Sequence, residues 1–147
     1  MQIRVQSEPF DMGAESNAFA QSATGAGAIV TFTGITRDSA AGDLAVMEIE
    51  HYPGMTERAL TSIAEQAMQR WHLTDCLVIH RYGALAPTDP IMMVATASRH
   101  RANAFAAAEF LMDYLKSRAP FWKKEITASK TDWVAARAED EAALKRW

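Results

Sequence analysis

Apolar residues recur along this chain with two different periods, and the changes of period mark its elements. Residues 2–6 (QIRVQ) alternate as a short strand does. Glu8 to Ala26 is mixed, with a short helix expected around Glu15–Ser22 and closed by Gly25 and Gly27. Ala28–Ile35 (AIVTFTGI) is β-branched and aromatic, which predicts a strand. The polar loop TRDSAAGD (36–43) leads to LAVMEIEHY, where Val46, Glu48 and Glu50 face one way and Met47, Ile49 and His51 the other. The length of that loop predicts an antiparallel pairing of the two strands. Pro53-Gly54 marks a tight turn. In Thr56–Trp71, residues Leu60, Ile63, Ala64, Ala67, Met68 and Trp71 fall at i, i+3, i+4, i+7, i+8 and i+11, one buried helical face. DCLVIHRYG (75–83) and PIMMVATAS (90–98) read as strands, with GALAPTD as their connection.

The stretch Ser98–Glu125 organises the rest. After Arg99-His100-Arg101 the chain runs without Gly or Pro as far as Arg118, rich in Ala and Leu, until Pro120 biases Ala119 out of the helical region. Phe105, Ala108, Met112 and Leu115 fall on one stripe of that helix, with Lys116 at its edge. Beyond the proline, FWKKEIT alternates as a strand, so Phe121, Lys123 and Glu125 share a face. WVAARA is expected to return as a hairpin partner around ASKTD, and a last short helix capped by Asp140 ends at Trp147. A helix ending in Lys116 beside a strand carrying Lys123 can aim two ammonium groups at one place. Several strands, two substantial helices and hairpin-like connections predict a single α+β domain with an antiparallel or mixed sheet.

Charge sharpens this picture. The net charge is −3, which gives no general affinity for nucleic acid or membrane. Residues 98–125 nonetheless hold six Lys/Arg against three Asp/Glu. A lysine or arginine in a last helical turn is favoured by the helix dipole whatever the protein does. Arg99, His100 and Arg101 are harder to dismiss, because the dipole disfavours cations at a helix start. An anion held between them and the free N–H groups would reverse that penalty, and phosphate is the natural candidate.

Other chemistry finds little support. The histidines at 51, 72, 80 and 100 are scattered, and Cys76, the only cysteine, lies in apolar strand sequence, so no metal site or nucleophile is expected. No Walker loop, GxGxxG or GxSxG string is present. A single cysteine fits a reducing compartment, and the start lacks an apolar leader core, so a cytoplasmic protein is expected. What remains is Arg37 after a strand, the helix-start cluster and the two lysines: machinery for anions, without a nucleophile of its own.

The strings TFTGITR (31–37), EHYPGM (50–55), VIHRYG (78–83), SRHR (98–101), MDYLKSRAPFWKKE (112–125) and the terminal KRW together resemble the large, catalytic subunit of molybdopterin synthase. The likeness covers about residues 28–147 in order, and the 112–125 string is its most specific part. That resemblance implies an α/β-hammerhead-type domain with an additional antiparallel β-sheet. It implies an enzyme that converts cyclic pyranopterin monophosphate into molybdopterin by adding two sulfurs. The sulfur would arrive on the C-terminal Gly-Gly thiocarboxylate of a small ubiquitin-like subunit, in a heterotetramer built on a dimer of large subunits. No cofactor is implied. The family's two lysines fall on Lys116 and Lys123. Its substrate-binding positions fall on Arg37, His100, Arg101, Phe32 and Met112, and on Arg137, which the other large subunit would lend. Thr36 and Arg99 depart from the family pattern. On this reading Lys116 is expected to carry proton transfer, with Lys123 an electrostatic clamp. Two other classes remain open from the residues alone: a scaffold that docks a Gly-Gly-tailed partner or a phosphorylated small molecule, and a nucleic-acid binder, which the acidic total disfavours.

Overall fold

The computed structural model describes residues 1–147. In chain order the elements are β1 (Gln2–Gln6), α1 (Met12–Ser22), β2 (Ala28–Ile35), β3 (Leu44–His51), α2 (Met55–Arg70), β4 (Asp75–Arg81), β5 (Gly83–Leu85), β6 (Pro90–Ser98), α3 (Arg101–Ser117), β7 (Phe121–Thr127), β8 (Thr131–Trp133) and α4 (Ala138–Ala143). A 3-10 turn at Leu144–Arg146 follows α4. They build two four-stranded sheets, β1-β4-β6-β2 and β5-β3-β7-β8. In the first, β1 runs parallel to β4 and the other pairs are antiparallel. The second is wholly antiparallel. The expected α+β class is therefore observed, and the second sheet is the additional antiparallel one.

The first sheet is covered on both faces. Cys76, Val78 and Val94 join α2, α3 and the inner face of the second sheet in the main core. Leu77, Ile79, Met93, Ala95 and Ala97 pack instead with Phe10, Phe19 and Ala23 of the α1 region. That is why β4 and β6 are nearly continuous apolar runs rather than alternating ones. In the second sheet Met47 and Ile49 of β3 point into the main core, and Ile49 lies opposite Lys123. Lys123 thus stands on the inward face of its sheet, at the rim of the core.

Five local expectations change. The strands flanking loop 36–43 do not pair: β2 pairs with β6, whereas β3 pairs with β5 and β7. Thr36 is still held beside the start of β6, its N–H donating to Asp89 O (2.8 Å) and its O accepting from Thr88 N–H (2.8 Å), and the chain crosses to the second sheet only after it. GALAPTD contributes the short strand β5. The hairpin return is only Thr131–Trp133, and Arg137, not Asp140, caps α4. On α3 the buried face centres on Ala104, Ala107, Leu111 and Leu115, and Phe105 stays exposed because it lies about 100° round the helix from that face.

Candidate active site

Lys116 sits in the last turn of α3 and Lys123 in the middle of β7. The two ammonium groups come close enough that the charge of Lys116 bears on Lys123. Burial is the main reason that the pKa of Lys123 is lowered from the ordinary lysine value; the Lys116 charge adds to the lowering, and Asp140 opposes it. Lys116 is half-exposed and its Nζ lies 4.0 Å from Asp140 Oδ1. Met112, one turn before Lys116, is half-buried against the core.

Behind Lys123 lies a set of rings that sequence reasoning passed over. His80 is buried on β4, and its ring stacks on Phe121 at 3.6 Å with planes 13° apart. Its Nδ1–H donates to the Arg81 carbonyl (2.8 Å), which leaves Nε2 bare. His51 tilts against Tyr82 (4.4 Å) and Phe121 (6.1 Å), and its Nδ1 lies 3.2 Å from Thr56 Oγ1. The pKa of His80 falls to about 3, mainly through burial. The bond to Arg81 opposes this, and the charges of Lys123 and His51 add to it. The imidazole is therefore neutral at physiological pH, and the positive charge here belongs to the lysines. Phe121 and Lys123 share a strand face by alternation, so the ring stack and the lysine are fixed together. The only signal in the sequence was the inward parity of Phe121 and Lys123, and it did not reveal the partner strand.

Other expected residues are more dispersed. His80, Met92 and Gly34 lie in one row across β4, β6 and β2, so exposed Arg37 leaves the first sheet at the end where the lysines stand. Phe32 is on the same strand, 42% exposed. His100 and Arg101 are exposed at the start of α3, where Ala28 pairs with Ser98. Fifteen residues separate Arg101 from Lys116, about 22 Å of helix. Within one chain the two groups therefore stand at opposite ends of α3. The chain is held tightly at this end: Gly27 N–H donates to Ser98 O (2.9 Å), and a Cβ at residue 27 would lie 2.4 Å from Arg99 O. Arg137 is exposed ahead of α4. No group of three or more His, Cys, Asp or Glu side chains is placed to hold a metal ion, and Cys76 is buried with its thiol pushed up to about 12 by desolvation. No helix is long and apolar enough to cross a membrane.

Fold and site together define an α+β protein that brings two lysines, one of them desolvated, to the junction of a helix and a second sheet. The sequence profile described as MoaE protein matches residues 5–118, and the chain belongs to that family, that of the molybdopterin synthase catalytic subunit. A molybdopterin synthase catalytic subunit from Cereibacter sphaeroides is 71% identical over 147 residues, all of both chains. The molybdopterin biosynthesis MoaE protein from Burkholderia ambifaria has 51% identity and a TM-score of 0.83, covering 99% of this chain and 97% of that one. Molybdopterin synthase from Staphylococcus aureus matches at 28% identity with a TM-score of 0.81, over 92% of this chain and 98% of its own.

Proposed function

We propose that this protein is the catalytic subunit of molybdopterin synthase. It transfers two sulfurs from the C-terminal thiocarboxylate of a small ubiquitin-like Gly-Gly-tailed subunit to cyclic pyranopterin monophosphate. The observation that carries this is the desolvated Lys123 beside Lys116, in a chain whose one thiol is buried and unreactive. Sulfur brought by a partner removes the need for a nucleophile, and two ammonium groups suit an anionic tail and departing oxygens. The roles expected from sequence are exchanged in this reading. Lys123, whose pKa burial lowers, gives up its proton more readily than an ordinary lysine and serves the proton transfer, while half-exposed Lys116 meets the tail as an electrostatic clamp.

The phosphate would be held by Arg37, His100, Arg101 and Arg137, with Phe32 and Met112 along the pterin. Because the helix start lies about 22 Å from the lysines in one chain, these residues meet only if a second copy completes the site, consistent with a homodimer inside the heterotetramer. The test is reconstitution with thiocarboxylated partner and cyclic pterin, read as dithiolene product. Lys116→Ala and Arg101→Ala should each abolish or strongly reduce conversion while far-UV circular dichroism and partner binding persist. Mixing the two inactive variants should restore part of the activity, since half of the sites in a mixed dimer regain all groups. No recovery on mixing, with exchange of subunits demonstrated, would refute the shared site. Wild-type protein yielding no dithiolene would refute the function.

A further inference from the structure

The terminal KRW string belongs to the resemblance but has no part in the chemistry above, and the structure gives it one. Asp113 lies one helical turn before Lys116 on α3, 9% exposed. It accepts three hydrogen bonds from the last two residues: Arg146 Nε (2.9 Å) and Trp147 Nε1 (2.6 Å) to Oδ2, and Arg146 Nη2 (3.1 Å) to Oδ1. Arg146 Nη1 also reaches Glu109 Oε1 (2.6 Å). The Trp147 ring stands edge-on to Trp71 and Phe110 at 5.5 and 5.6 Å. Arg70 covers both tryptophans and donates to the main-chain oxygen of Trp147 (3.1 Å).

The segment just ahead has no such anchorage. Helix α4 is six residues long and buries none of them. A helix of that length does not persist by itself, and its own ties are exposed ones, Glu141 to Arg118 and Asp140 to Lys116. Its placement therefore depends on the anchored residues at the chain end. Asp140 is the one carboxylate that bears on Lys123; the other charged or titratable groups facing that site are Lys116 of α3, His80 of β4 and, beyond His80, His51 of β3.

We propose that Asp113, Arg146 and Trp147 are positioning residues for the lysine pair: by fastening the end of the chain to α3 they hold α4, and with it Asp140, against Lys116 and Lys123. The clasp and Lys116 are one turn apart on the same helix, so the counter-ion and its lysines keep a fixed geometry. This rests on the lysine pair being the reacting groups, but its test reads Lys123 directly and needs neither partner nor pterin.

The experiment tracks the Lys123 side-chain ammonium by NMR against pH in the full chain. The variants are Trp147→Phe, Asp113→Asn, Asp140→Asn and the double Trp147→Phe/Asp140→Asn. Asp140 opposes the lowering of the Lys123 pKa, so losing it moves the titration to lower pH. Trp147→Phe, which deletes one donor and keeps an aromatic ring, and Asp113→Asn should move it in the same direction. The double variant should move it no further than Asp140→Asn does, because the clasp acts through Asp140. In the reconstituted enzyme the alkaline limb of the pH profile, where the Lys123 ammonium is lost, should shift likewise. The proposal is overturned if the clasp variants keep native backbone amide NMR spectra away from the substitution with Lys123 titrating as in wild type, or if their shift persists undiminished in the Asp140→Asn background. If Asp113→Asn does not fold, the milder Trp147→Phe decides. A clasp that behaves as expected in a protein that makes no dithiolene would leave this inference standing and sink the assigned reaction instead.

Discussion

Replacing His80 by Phe isolates the energetic consequence of burying a titratable ring beside the lysines. In the folded protein the imidazole protonates only near pH 3, whereas in the unfolded chain it does so near about 6.5. Between those values the unfolded state binds a proton that the folded state refuses. Stability therefore rises with pH across that window, and it is lost as pH falls below about 6.5. At pH 5 the unfolded chain is favoured through this group by about 1.5 decades, or about 2 kcal/mol. His80→Phe removes the titration and keeps a ring to stack on Phe121. It strands the Arg81 carbonyl, which accepts the Nδ1–H bond, at a cost of about 1–3 kcal/mol at any pH. Urea unfolding at pH 8 and pH 5, at one fixed protein concentration, measures both effects. Wild type should lose about 2 kcal/mol more than the variant between the two pH values, a difference of about 1 M in urea midpoint. All groups other than residue 80 are common to the two proteins, so their contributions cancel in the comparison. An equal loss in both proteins would mean that His80 is charged or solvated in the fold, and the picture of a neutral ring behind Lys123 would fail.

Gly27→Ala should destabilise the protein by about 1–3 kcal/mol, because its Cβ would lie 2.4 Å from a backbone oxygen that must move; urea midpoints check this, and an unchanged midpoint would contradict it. Cys76, buried with its thiol near 12, should react with iodoacetamide in native protein at pH 8 only as fast as the structure opens, and at the rate of a free thiol once denatured. Arg81 is buried and donates through Nε and Nη2 to Ser7 O (3.2 Å each) and through Nη1 to Pro90 O (3.1 Å). Arg81→Lys cannot reproduce that fork and should cost about 2–3 kcal/mol in the same unfolding assay.

Periodicity alone determined most of the elements here. The faces of α2, the strands β2, β4, β6 and β7, and the end of α3 near Pro120 come from local spacing, because burial of one face imposes a repeat that the chain itself carries. The strings that place the chain in its family, and the pairing of Lys116 with Lys123 as candidates, were equally local. Strand partners were not. The same 36–43 loop that would permit a hairpin instead carries the chain to another sheet, where β3 finds its partners in β5 and β7, distant in sequence. The site divides along that line. Sequence supplied the cations, but only packing decided that Lys123 is desolvated, that neutral His80 and Phe121 stand behind it, and that His100 and Arg101 lie a helix length away from it. Desolvation and charge proximity are properties of neighbours brought together from different sheets and helices, and no spacing along one segment encodes them.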